Sequence, residues 1–210
     1  MSLLITFEGI EGSGKTTQIH LLHQQFKQKG LDSILTREPG GTPIGQEIRN
    51  LLLDRKNEHL ASRAELFLYA ADRAQHLHEV VLPALEKKQI VLCDRYIDAT
   101  TAYQAGGRQL EEDLVQQMIQ LASQNLKPHL TFLVDCPVEI GLSRAQKRAA
   151  DVNDRLDRFE RLALEFHERV RRRYLQIAQE EPARVKVIDG TQSIDLIQKE
   201  ILSIIDTLLT

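Results

Sequence analysis

Apolar residues recur along this chain in two alternating rhythms, short unbroken runs and longer stretches with helical spacing. Leu3-Leu4-Ile5-Thr6-Phe7 predicts a strand over residues 2–8, and residues 15–29 predict a helix that stops at Gly30, a C-terminal cap. Ser33-Ile34-Leu35-Thr36 predicts a second strand. The breaker-dense Arg37-Glu38-Pro39-Gly40-Gly41-Thr42-Pro43 is then a loop, and residues 44–53 resume helical period through Ile44, Ile48, Leu51 and Leu52. Ser62 to Leu85 predicts one long helix, apolar around more than one face through Leu66, Leu68, Tyr69, Leu77, Val80 and Val81. Such a helix is buried on both sides or packs on a second subunit.

Ile90-Val91-Leu92-Cys93 ends on Asp94-Arg95-Tyr96, the pattern of a central parallel strand with charge at its C-terminal edge. Residues 97–109 fit a helical turn and then a break at Gly106-Gly107-Arg108, and residues 110–124 a helix. Leu130–Val134 is a fourth strand. A helix from Val138 turns basic at Arg144, Lys147 and Arg148 and runs into residues 149–154, which have little apolar anchoring. Arg158–Glu180 predicts a helix, Val185–Ile188 a fifth strand, and residues 193–209 a closing amphipathic helix. This alternation predicts an α/β fold with five parallel strands, helices on both faces, and ligands at the strands' C-terminal ends.

Composition narrows the function. At 210 residues the chain fits one domain, or one domain with a small appendage, and can bury a full core. A net charge of −3 and a pI near 6.2 argue against nucleic acid as a partner. No apolar run is long enough to span a membrane, and no basic-then-apolar leader opens the chain, so the expected location is cytoplasmic. Cys93 and Cys136 lie within apolar runs without metal-ligand spacing and read as buried small hydrophobes. His76 and His78 do not share a helix face, which argues against a metal site there.

Chemistry enters at Gly9-Ile10-Glu11-Gly12-Ser13-Gly14-Lys15-Thr16, between the first strand and its helix, with Thr17 following. This is the P-loop pattern in its required setting. Glycines let backbone N–H groups converge on phosphate oxygens, and the helix N-terminus faces the same anion. Lys15 would neutralise the outer phosphates of a nucleoside triphosphate and the Thr16 hydroxyl would ligate the accompanying Mg²⁺. Asp94 can hold the same ion through water, while Arg95 beside it can clamp a second phosphate. Arg144, Lys147 and Arg148 suit a closing lid over about 142–157 that delivers cations when the site shuts. A guanine-reading motif is missing, which disfavours a GTPase switch. If the acceptor is a nucleoside monophosphate, its phosphate oxygen is already ionised. Transfer then needs no protein base, and an in-chain arginine finger, Arg148, stabilises the moving charge.

Beyond the P-loop, Thr36-Arg37-Glu38-Pro39-Gly40-Gly41-Thr42, Leu68-Tyr69-Ala70-Ala71-Asp72-Arg73, Asp94-Arg95-Tyr96, Thr101-Ala102-Tyr103-Gln104, Leu133-Val134-Asp135-Cys136-Pro137 and Arg158-Phe159-Glu160 resemble the thymidylate kinase family across essentially the whole chain. The resemblance implies the nucleoside monophosphate kinase fold with a helical lid, and transfer of the ATP γ-phosphoryl to dTMP with Mg²⁺ in a homodimer. It also implies site roles. Residues Gly9 to Thr17 hold ATP, Glu11 meets the acceptor sugar or the metal, and Arg95 and Arg49 grip the dTMP phosphate. Tyr69 stacks on thymine, Arg73 meets a thymine carbonyl, Thr100 stands near the base, Tyr103 crowds the 2′ position, and Pro39 lines the acceptor side. Ser13 inside the P-loop, with cations in the lid, matches the bacterial arrangement.

Plainer expectations stand beside these. Tyr69 alone reads as core packing, Arg73 as a surface charge or partner of Asp72, and Arg37 and Glu38 as loop solvation. Arg169, Arg171, Arg172 and Arg173 read as a solvated face, with Arg169 or Arg173 able to pair with acids at the lid hinge. Residues 189–192 are candidates to frame adenine. A kinase for another monophosphate or a deoxynucleoside, and a nucleotide-dependent switch, remain open at this level.

Overall fold

The computed structural model describes residues 2–151, 157–160 and 162–209. Its centre is β1 (Leu3–Glu8), flanked by β3 (Ile90–Asp94) and β4 (Leu130–Asp135), with β2 (Ser33–Arg37) and β5 (Val185–Asp189) at the edges. The order is β2-β3-β1-β4-β5 and every pairing is parallel. This is the five-stranded sheet expected from the alternation of runs.

β1 is apolar on both faces because both are covered. Leu3, Ile5 and Phe7 join the core under α1 (Lys15–Gln28) and α9 (Ile194–Leu209), where Phe7 meets Phe132 with ring centroids 5.1 Å apart. Leu4 belongs to the opposite core, with Leu66 of α3 (Ser62–His76) and Val115 and Ile119 of α6 (Glu112–Ser123). A third cluster joins Leu133 of β4 to Phe166, Val170 and Tyr174 of α8 (Leu164–Glu180). Cys93 and Cys136 are buried and free, as read.

Three local expectations change. The long helix continues past α3 through a π-helical stretch, Leu77–Val81, into α4 (Leu82–Glu86). The widening precedes Pro83, which has no N–H to return to the preceding turn. Its inward face is also not simply apolar, since Glu65, Asp72, Arg73 and His76 are buried alongside Leu66 and Ala70. Finally, α8 begins at Leu164, not Arg158. The Asp157 carboxylate accepts from the N–H groups of Phe159 (2.8 Å) and Glu160 (2.9 Å), forming a turn instead.

The basic run on α8 is only partly a solvated face. Arg171 grips Asp135 at the end of β4 through both oxygens (2.7 and 2.8 Å), Arg169 donates to the Gly107 carbonyl, and Arg173 pairs with Glu112 at 2.8 Å. These contacts fasten α8 to the sheet and to α6, while Asp154 of the expected lid hinge lies outside the described residues. Of the lid expectation, α7 (Val138–Asp151) is a helix, while residues 152–156 lie outside the described residues. Among the described residues no helix is long and apolar enough to cross a membrane.

Candidate functional site

The site lies at the C-terminal ends of β1, β2 and β3, around a cavity of about 580 Å³. Glu11, Gly12, Lys15 and Thr16 form its floor. The loop between β1 and α1 turns tightly, and Gly12, at φ +68°, sits against the backbone of Gly141 on α7, where a Cβ would have no room. The base of α7 thus rests directly on the phosphate loop. Gly9, Ile10, Ser13 and Gly14 build the loop without forming the cavity wall, and Thr17 faces solvent on α1.

Lys15 is buried and its ammonium donates to the Ile10 carbonyl at 3.2 Å. Burial first, and the Arg95 charge second, bring its pKa down to about 8. Thr16 Oγ1 donates to Asp94 Oδ2 at 2.7 Å, and Asp94 Oδ1 is buried without a partner. A hydroxyl and a carboxylate with a free oxygen, beside a lysine, make a hard-oxygen donor set that fits Mg²⁺.

Arg95 follows β3 in the left-handed region (φ +70°), uncommon for a residue with a Cβ. Its guanidinium donates through Nη1 to Gly9 O (2.9 Å) and the Tyr174 hydroxyl (3.1 Å). Through Nη2 it donates to the Tyr103 hydroxyl (3.0 Å) and Glu11 Oε1 (3.2 Å). The Tyr103 hydroxyl in turn donates to Glu11 Oε1 at 2.5 Å. Burial opposes ionisation of Glu11, but His167, Arg95, Lys15 and Tyr103 outweigh it and hold its carboxyl far below the usual range. His167 itself is fully buried on α8, with Nδ1 3.4 Å from Glu11 Oε2 and no aligned hydrogen bond.

Behind Arg95 stands Glu8, fully buried, accepting from Tyr96 N–H and the Tyr174 hydroxyl, both at 2.7 Å. Burial, and then the Asp98 charge, push its carboxyl well up.

The other end of the cavity carries Pro39, Arg49, Tyr69, Arg73, Thr100 and Tyr103, gathered from different elements. Arg49 of α2 (Pro43–Leu53) donates to the Pro39 carbonyl at 3.0 Å. Tyr69 is half-buried, tilted against Phe159 with centroids 6.4 Å apart, so it combines wall and packing roles. Arg73 corrects the reading as a surface charge. It is 2% exposed and donates to Glu38 Oε2 (2.8 Å), Tyr96 O and Thr100 Oγ1 (both 2.9 Å), not to Asp72. Glu38 is likewise buried, not loop solvation, whereas Arg37 is exposed as expected.

Of the basic residues on α7, Arg148 lines the cavity and pairs with Glu160. Arg144 donates instead to the Gly190 carbonyl at 2.8 Å, and Lys147 is exposed; neither lines the cavity.

Sequence reasoning missed Glu8, His76, His167, Tyr174 and the Glu65 junction. Glu65 is completely buried and takes Gln104, Arg108 and Arg158 on its two oxygens. The available signal was an acid or histidine inside an otherwise apolar element, such as Glu8 closing β1.

The chain is similar to known proteins along nearly its whole length. The family model described as thymidylate kinase matches residues 7–201. The chain is 50% identical over 204 residues to the thymidylate kinase of Pelobacter propionicus, covering 97% of this chain and 93% of that one. It is 53% identical over 190 residues to that of Trichlorobacter lovleyi, covering 90% of each. The crystal structure of thymidylate kinase from Ehrlichia chaffeensis superposes with a TM-score of 0.78 at 34% identity over 98% of both chains.

Proposed function

Because this chain belongs to the thymidylate kinase family and phosphorylates dTMP to dTDP with ATP and Mg²⁺, we propose the following division of labour among its residues. The P-loop from Gly9 to Thr17 holds the ATP phosphates, with Lys15 neutralising the outer oxygens. Thr16 and Asp94 hold Mg²⁺, which when bound neutralises charge on the donor phosphates. Arg95 and Arg49 grip the dTMP phosphate. Its oxygen attacks the γ-phosphorus, the bond to ADP breaks, and no proton has to be removed from the acceptor. Arg148 exchanges Glu160 for the transferring group, while Arg144 and Lys147 on the same helix add positive charge as the site shuts.

At the acceptor end, Tyr69 stacks on the base, Arg73 and Thr100 meet its polar edge, and Pro39 lines the wall. Glu11 meets the sugar hydroxyl, and Tyr103, fixed on Glu11 and Arg95, fills the 2′ side. The observation that carries this reading is the Arg95–Glu11–Tyr103 array lining one cavity with the Thr16–Asp94 pair.

The chain acts as one domain over residues 1–210, with a lid over about 142–157, in the cytoplasm and as a homodimer. The helix over residues 62–85 is the pairing surface, a reading supported by half-exposed Phe67 on α3. ADP release with Mg-ATP against dTMP, dUMP, dCMP, dGMP, UMP and no acceptor tests the assignment. Preference for dTMP, then dUMP, supports it; turnover without acceptor or with another monophosphate sinks it. Light scattering at working concentration tests the dimer.

A further inference from the structure

Hydrogen bonds at the base end of the cavity run in one chemically forced direction. Glu38 is buried, and burial opposes its ionisation, but Arg73 and His76 outweigh that and hold it as a carboxylate. An ionised carboxylate only accepts. Glu38 Oε1 therefore takes the hydrogen of His76 Nδ1 at 2.8 Å, and Oε2 takes that of Arg73 Nε at 2.8 Å. His76, fully buried, is tied on its far side to Thr36 Oγ1 at 2.7 Å.

The guanidinium of Arg73 has no acceptor capacity, so its Nη2 hydrogens must go to Tyr96 O and Thr100 Oγ1. Among the described residues Arg73 Nη1 has no acceptor. The Thr100 hydroxyl, having accepted from Arg73, has no acceptor of its own among them either. Both residues line the cavity. What Arg73 and Thr100 offer a ligand is a pair of donors.

The loop that carries Glu38 is clamped so that the set holds its shape. Gly41 lies against the His76 ring, where a Cβ would collide with it, and Gly40 N–H donates to Asp72 Oδ1 at 2.9 Å. α3 thus grips the loop through Asp72, Arg73 and His76, which lie on one face.

We propose that Glu38, buttressed by His76, is a positioning residue that fixes Arg73 and Thr100 as donors and so selects a pyrimidine with a carbonyl at position 4 over one with an amino group. This rests on the reading of Tyr69, Arg73 and Thr100 as the base site. The physical cause is the cost of facing a buried donor with another donor: a site built to hydrogen-bond one group rejects the analogue that cannot pair.

The test compares kcat and KM for dTMP, dUMP and dCMP in the wild type, Glu38→Gln, His76→Gln and Thr100→Val, with KM for ATP and thermal unfolding measured on each. Glu38→Gln should raise the dTMP KM by about tenfold or more with a smaller change in kcat, and narrow the dTMP-to-dCMP ratio of kcat/KM. Thr100→Val removes one donor at constant shape and should narrow the same ratio. His76→Gln, which can still donate to Glu38, should fall between wild type and Glu38→Gln. Should Glu38→Gln fail to fold, the other two variants carry the test.

Variants that keep the wild-type dTMP-to-dCMP ratio, or that lose kcat at constant dTMP KM, overturn the positioning role while leaving the base site standing. A wild type that does not distinguish dTMP from dCMP sinks both the base-site reading and this inference.

Discussion

Arg95 Nη2 lies 3.2 Å from Glu11 Oε1, and the same oxygen takes the Tyr103 hydroxyl at 2.5 Å. An acid inside a phosphate-binding loop is electrostatically awkward. Here it pairs with the part-buried Arg95 and orders that arginine before a phosphate arrives. Arg95→Ala is expected to lower kcat/KM for dTMP by about a thousandfold with the fold intact. Arg95→Lys should not restore it, because an ammonium cannot span Gly9, Glu11, Tyr103 and Tyr174 together. Steady-state kinetics beside circular dichroism decide; an active Arg95→Ala protein with normal dTMP affinity contradicts the assigned role.

Lys15 predicts the pH behaviour. Burial and the Arg95 charge lower its pKa to about 8. Below it the ammonium is charged and attracts phosphate; as pH rises through it the charge is lost. Accordingly kcat/KM for ATP should decline above about pH 8, while kcat declines less because bound phosphates hold the proton on. A flat kcat/KM profile to pH 9.5 would count against this.

Arg148 is exposed and paired with Glu160. If it meets charge only as the phosphoryl group moves, Arg148→Ala should reduce kcat by about a hundredfold or more and barely change KM for either nucleotide. Equal losses in affinity and turnover would make it a binding residue.

Glu65 joins α3, the turn around Gln104 and Arg108, and Arg158 beyond α7. Glu65→Ala strands Arg158, which is 5% exposed, and should cost about 3–5 kcal/mol in a urea titration. A loss below about 1 kcal/mol would show that water reaches this junction.

Glu8 gives a stability prediction of the opposite sign to an ordinary surface acid. Its folded pKa is raised by burial and Asp98, so its contribution is complete below the unfolded carboxylate pKa and is lost as pH rises through the folded value. The melting temperature should therefore fall toward alkaline pH. Glu8→Gln, whose amide oxygen keeps the Tyr96 N–H while its NH2 faces the Tyr174 hydroxyl, should flatten that fall; an unchanged slope would assign it to other groups.

The sequence by itself determined what is local in the chain. Strand runs, helical periods, the Gly30 cap and the phosphate loop are each encoded within a few turns of backbone, and together they specified the five parallel strands and the donor end of the site. Arg73 and Tyr69 were legible as site residues only through their motif, since periodicity alone reads a helical tyrosine as packing and an arginine as surface. Only the tertiary structure decided which charges are buried. Glu8 meets Tyr174 across 166 positions, and Glu65 meets Arg158 across 93. A charged side chain reads as solvated until its partner is known, and here the partners lie on distant elements, so burial of Glu8, Glu38, Glu65, Arg73 and Arg158 follows from how the sheet and helices assemble and not from any local pattern.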